Sequence, residues 1–181
     1  MFIRFITTGG TIDKIYFDAL SQFEVGESQI AHILSEGLVD FSYEIVPLLR
    51  KDSLEITATD RRQLREYIEA DEAELIVVTH GTDTMPATAE ALQGIPGKTI
   101  VLTGALSPAR FRTTDAVFNI GMAVAAVQCA APGVYIAMSG QVFPAGAVRK
   151  NRSENRFERV SPGDEEDSAD RNAKATPPLE D

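Results

Sequence analysis

The chain has 181 residues, 44% hydrophobic and 24% charged, the balance of one globular domain long enough for a sizeable core. Twenty-seven acidic residues against 17 basic ones give a formal net charge of −10, which argues against a phosphate-tracking surface and so against nucleic acid as a partner. The single cysteine, Cys129, excludes an internal disulfide framework, suits a reducing compartment, and lies in an apolar run where it reads as a small core residue.

Residues 2–6 predict a short buried strand of aromatic and β-branched residues. It runs into Thr7-Thr8-Gly9-Gly10-Thr11-Ile12-Asp13, where two glycines permit a sharp turn. Thr11 then presents a hydroxyl beside backbone N–H groups, an arrangement suited to a nucleophile and equally to a plain strand-end turn. A strand followed by glycines does not read as a signal peptide, and no apolar run is long enough to span a bilayer. The expectation is a cytoplasmic protein with no membrane partner. Residues 15–26 have no clean period and read as a long functional loop, a lid.

A helix follows, with Ile30, Ile33, Leu34 and Leu38 on one face and Gly37 as its stop. Residues 43–48 predict the second strand, leading to the polar loop Arg50-Lys51-Asp52-Ser53. Thr59 or Asp60 caps the next helix, whose inward stripe is Leu64, Tyr67 and Ile68. The third strand, 74–78, discharges into Thr79-His80-Gly81-Thr82-Asp83-Thr84-Met85. Pro86 fits the first turn of a helix carrying Ala89 and Leu92. Residues 99–102 form strand four. Residues 115–128 form an apolar helix whose small residues (Gly121, Ala123, Ala125, Ala126) suit close packing on a sheet or on a second subunit. Strand five is 134–138, and 139–151 is read as a loop.

Strand and helix alternate about five times. That pattern predicts an α/β fold: an open, mostly parallel sheet with helices on both faces, a three-layer Rossmann-like or flavodoxin-like arrangement. Residues 161–181 contain no Val, Ile, Phe, Tyr or Met and read as a disordered acidic tail, leaving 1–151 as the domain. In an open parallel sheet, ligands sit beyond the carboxyl ends of the strands. Two such ends, both rich in hydroxyls, are therefore expected to face one crevice.

Thr8-Gly9-Gly10-Thr11-Ile12, His80-Gly81-Thr82-Asp83-Thr84-Met85 and Leu102-Thr103-Gly104-Ala105 together resemble, in order and spacing, three segments of the asparaginase/glutaminase family of threonine amidohydrolases. The resemblance covers residues 1–151 and is to that family's N-terminal domain, as in short-chain members. It implies hydrolysis of the side-chain amide of L-asparagine to aspartate and ammonia through an acyl-enzyme on Thr11, with no cofactor and no metal. It further implies Thr82, paired with Lys150, as the group that orients water, and Asp83 as the holder of the substrate ammonium. Gly10, Asp52, Ser53 and the Ala105 carbonyl are implied to line the substrate. Phe23 stands where many long-chain members carry a tyrosine, so either Tyr16, the nearest phenol, activates Thr11 instead, or the chain departs from the family pattern at this point. The histidine of the second motif is structural in that family, which assigns His80 no proton transfer.

Three other readings remain at this stage. A nucleotide- or phosphate-binding module fits a glycine-rich loop after strand one, although neither G-x-G-x-x-G nor P-loop spacing is present. The related tRNA-dependent amidotransferase subunit shares both threonine motifs. A non-catalytic, partner-binding asparaginase-like domain is the third, since a neighbouring subunit's second domain normally completes this crevice. The same reasoning leads to an expected homodimer or larger homo-oligomer. No Cys/His cluster offers metal ligands.

Overall fold

Alternation of apolar side chains along the strands sorts the core onto the two sides of one sheet. The computed structural model describes residues 1–17 and 22–160. In chain order the elements are β1 (Phe2–Gly9), β2 (Lys14–Phe17), β3 (Gln22–Val25), α1 (Ile30–Glu36), β4 (Ser42–Lys51), α2 (Ala58–Ala70), β5 (Leu75–Thr79), α3 (Met85–Ala91), β6 (Thr99–Thr103), α4 (Ala116–Cys129), β7 (Gly133–Met138), β8 (Gln141–Pro144), β9 (Val148–Asn151) and β10 (Arg156–Arg159). Short 3-10 turns sit at Thr11–Asp13 and Ser53–Glu55. The main sheet has six strands in the order β4-β1-β5-β6-β7-β8, parallel except for β8, with two separate two-stranded ribbons, β2-β3 and β9-β10.

Ile6, Ile76, Val78, Ile100, Leu102, Ile136 and Met138 face one side, where α2 and α3 cover them with Leu64, Ile68, Met85, Ala89 and Leu92. Ile3, Phe5, Val77, Val101 and Ala137 face the other, under Ile30, Ile33 and Leu34 of α1 and Ile120, Ala123 and Val127 of α4. Strands covered on both faces read as near-continuous apolar runs, which is why β5 and β6 were legible. Each fully buried aliphatic side chain contributes about 1.5–3 kcal/mol. The open, mostly parallel three-layer α/β architecture is thus the one the alternation predicts.

Several local expectations need correction. Within the stretch 15–26, the described residues are not irregular: β2 and β3 pair antiparallel, Lys14 opposite Val25 and Tyr16 opposite Phe23, while residues 18–21 of the expected lid lie outside the described residues. The apolar positions of the two strands alternate with a period of two, too briefly to stand out. Leu38 does not extend the face of α1; the helix ends at Glu36, and Leu38 turns into a left-handed φ of 49° and is 87% exposed. The α2 cap is Thr57, in a capping box with Asp60 at its third position. Cys129 ends α4 exposed, off the buried stripe of Ala116, Ile120, Ala123 and Val127. The stretch 139–151 holds β8 and β9, and Phe157 of β10 is buried in the main core, so the packed fold continues beyond residue 151. The expected tail, 161–181, lies outside the described residues. Both outermost strands of the main sheet carry a proline, Pro47 in β4 and Pro144 in β8.

Candidate active site

β1 lies between β4 and β5, so the chain leaves β1 to one side and later returns on the other. A crevice opens at such a reversal, beyond the strands' carboxyl ends. Here β1 ends in Gly9-Gly10-Thr11. The register with β4 slips between Thr7↔Pro47 and Gly9↔Lys51, two extra residues on β4. That bulge lays the Lys51 carbonyl over the turn, where it accepts the Gly10 N–H at 2.9 Å. Gly10 has φ 88° and ψ −173°, a region closed to side chains, and a Cβ built on it would lie 2.4 Å from the Gly81 nitrogen. The backbones of the two threonine loops therefore touch, and Thr11 and Thr82 each follow directly from that contact. Thr11 opens a 3-10 turn, whose first N–H groups have no partner within the turn.

The loop after β4 stacks on the same contact. A Cβ on Gly81 would meet the Ser53 Cβ at 2.5 Å. Ser53 is buried, and its carbonyl accepts the Thr84 hydroxyl at 2.6 Å, tying the β4 loop to the β5 loop. Asp52 caps the Ser53–Glu55 turn through the Leu54 N–H and pairs with Lys14 at 2.6 Å. Burial pushes the Asp52 carboxyl up, but Lys14 and the Leu54 and Ser53 N–H groups outweigh it and hold the group below the usual carboxylate range. Its carboxylate is thus already engaged in positioning Ser53.

The β9-β10 ribbon, absent from the sequence reading, brings in the lysine. Lys150 Nζ donates to Thr82 Oγ1 at 3.0 Å and to Asn155 Oδ1 at 2.9 Å, and sits 5.3 Å over the Phe157 ring. Burial lowers the Lys150 ammonium below the ordinary lysine value, against the opposing pull of Asp83 and Asp115. Lowering favours the neutral amine, the only form that can accept the Thr82 proton.

Ala105 is buried beyond β6. Its loop is pinned by two residues that the sequence reading did not single out as functional. Asp115 accepts the Leu106 and Ser107 N–H groups, and Asn119 donates to the Gly104 carbonyl and accepts the Ser139 N–H. The signal in the sequence was an asparagine four residues after an aspartate in an otherwise apolar, uncharged run; in the structure that asparagine is fully buried. His80 is buried, with Nδ1 against the Gly81 carbonyl at 2.7 Å and Nε2 against Thr88 Oγ1 at 2.9 Å. Burial lowers it to about 4, so it is a neutral strut between the β5 loop and α3. Tyr16 lies in β2, and its phenol falls outside the described side chains. Among the described residues no group of three or more His, Cys, Asp or Glu could hold a metal, and no helix is long and apolar enough to cross a membrane.

This geometry has counterparts. A family profile described as asparaginase, N-terminal, matches residues 2–165. The L-asparaginase of Thermococcus kodakarensis is 33% identical over 156 residues, covering 81% of this chain and 46% of that protein. A glutamyl-tRNA(Gln) amidotransferase subunit of Methanococcus vannielii is 42% identical over 81 residues, 44% of this chain and 19% of that one. Among solved structures, the thermostable L-asparaginase from Thermococcus kodakarensis superposes with a TM-score of 0.77 at 27% identity, over 88% of this chain and 51% of that chain. A probable cytoplasmic L-asparaginase from Campylobacter jejuni gives 0.69 at 28% identity, over 87% and 51%. The chain spans about half the length of the L-asparaginases it matches. Sheet order, glycine turn and profile agree on one assignment: the chain belongs to the asparaginase family, as its N-terminal domain.

Proposed function

We propose that this chain is an amidohydrolase that converts the side-chain amide of L-asparagine to L-aspartate and ammonia. Thr11 Oγ1 attacks the amide carbon, and the Tyr16 hydroxyl relays the proton: it takes the Thr11 proton as it gives its own to the departing amide nitrogen. Collapse of the tetrahedral intermediate breaks the C–N bond and releases ammonia, leaving an ester on Thr11. Water oriented by Thr82 and Lys150 adds to that ester, the C–O bond to Thr11 breaks, and aspartate leaves. Asp83 holds the substrate ammonium, Ser53 its carboxylate, and Gly10 and the Ala105 carbonyl line the amide. Family membership supports amide hydrolysis, and the observation that carries the finer assignment is the 3.0 Å contact of Lys150 with Thr82 beside the Gly10–Gly81 contact.

The test is ammonia release from L-asparagine and from L-glutamine by wild type and by Thr11→Ala. Turnover that vanishes in the variant supports the reading, and a wild-type chain that releases no ammonia refutes it. One methylene separates the two amides, worth about 1–3 kcal/mol. Similarity to the tRNA-dependent amidotransferase supports a second reading. Turnover of free amino acids without tRNA separates the two. A homodimer through α4 is part of the proposal: the helix has no charged residue, and Val117 and Phe118 are 52% and 62% exposed. Sedimentation showing monomers at fully active concentrations refutes that part.

A further inference from the structure

Under the Thr11 turn lies a buried carboxylate with no role in the scheme above. Asp13 is 2% exposed and fastens three segments at once. Its N–H donates to the Gly10 carbonyl at 3.1 Å, and its carbonyl accepts the Gly26 N–H at 2.7 Å, just past β3. Its Oδ1 accepts the Gln29 N–H at 3.1 Å, at the start of α1, and the Ser28 side chain bonds the same carboxylate. Any residue at this position would make the two main-chain bonds. Only the side chain reaches past the hairpin to Ser28 and Gln29.

We propose that the ionised Asp13 carboxylate is a positioning residue that locks the Thr11 turn to the outgoing end of the β2-β3 hairpin and to α1, and that protonation loosens this lock. Its catalytic consequence rests on the reading of Thr11 as nucleophile; the lock itself does not. The carboxylate lines an open pocket of about 480 Å³ beside β4, so protons reach it without unfolding. Among the described residues, the charged groups around it are Arg50 from β4, Arg110 from the loop after β6, and Glu27 from the segment before α1. β1 contributes only Thr7 and Gly9 to the pocket, and α1 only Ala31, its His32–Glu36 pair lying on the exposed side. Burial raises the Asp13 carboxyl to about 6, against the Gln29 N–H, Ser28, Arg110 and Arg50. A carboxylate accepts hydrogen bonds about twice as strongly as its neutral form, so the lock changes strength in this range.

Two measurements on the full chain test the proposal, with His32→Gln in every sample to remove the exposed imidazole of α1. The first follows the Gly26 and Gln29 amide resonances between about pH 5 and about pH 7.5. Both are expected to titrate with one shared midpoint in the parent and to stay still in Asp13→Asn. The second is the pH profile of ammonia release. The parent's kcat is expected to fall about tenfold towards the acid end at that midpoint, while Asp13→Asn is flat and about tenfold slower throughout, with KM little changed. Amides that do not move in the parent, or that move equally in Asp13→Asn, overturn the lock whether or not the variant folds well. An Asp13→Asn enzyme with the parental rate and an unchanged acid limb overturns the positioning role. A parent that titrates at both amides but releases no ammonia supports the lock and refutes the reading of Thr11.

Discussion

Three glycine-to-alanine substitutions separate the two reasons for which glycine stands at the crevice. Gly94 has φ 80° with nothing within 4 Å of a built Cβ, so Gly94→Ala meets backbone strain alone, about 1–2 kcal/mol. Gly81 has no left-handed φ, but its Cβ would lie 2.5 Å from the Ser53 Cβ, so Gly81→Ala meets contact alone, about 1–3 kcal/mol. Gly10 carries both burdens, φ 88° and a Cβ at 2.4 Å from the Gly81 nitrogen. Gly10→Ala should therefore cost about 2–5 kcal/mol, a fall of roughly 5–15 °C in melting temperature for a chain of this size. It should also lose about 10²-fold in turnover for each ångström by which Thr11 shifts. Circular-dichroism melts and ammonia release read both effects. If Gly10→Ala melts within about 2 °C of Gly94→Ala, the claim that the two threonine loops touch is wrong.

Lys150→Met and Thr82→Val should each lower turnover about 10²–10⁴-fold, and the double variant should be no slower than the worse single one, because the two groups act as one unit. Additive losses in a kinetic cycle would break that pairing. Asp60 is held at about 2, below its unfolded 3.8, first by the Thr57 N–H and then by Lys51. Its contribution is full above about pH 4 and fades as pH falls towards about 2, so Asp60→Ala should cost about 1–2 kcal/mol at neutral pH and almost nothing at the acid end, read by urea melts across pH. Asp13 has the opposite sign. Raised from 3.8 to about 6, it favours the folded state when protonated, so Asp13→Asn should gain on wild type as pH rises from about 4 to about 6, by up to about 3 kcal/mol. A flat difference in paired denaturation curves would contradict the buried-charge account.

The parallel core was legible because strands buried on both faces leave unbroken apolar runs such as Ile76, Val77 and Val78, and because a glycine or a capping residue marks most ends. The meeting of the strand-end loops was legible for a different reason. Their threonines, glycines and Ser53 sit at strand ends, and one rule about parallel sheets gathers strand ends together. Ribbons were not legible. β2, β3, β9 and β10 are four residues each, too short for a period to show, and they are defined by their partners across the ribbon. Lys150 was singled out from its motif, but the strand that carries it was not legible. Asp115 and Asn119 act on neighbouring loops through hydrogen bonds, and their four-residue spacing on an apolar helix hints at a shared role without naming the partners.

The proline in each outer strand of the main sheet governs what the molecule can avoid. An outer strand with free N–H and C=O groups is a template on which another chain can grow. Pro47 withholds an N–H donor from β4 at the bulge, where the ladder is already out of step, and Pro144 withholds one from the last residue of β8, itself only four residues long. Neither margin offers a long, even row of donors and acceptors to a passing strand. A strand added at either margin would therefore lose a ladder hydrogen bond at the proline, which disfavours growth of the sheet beyond its six strands.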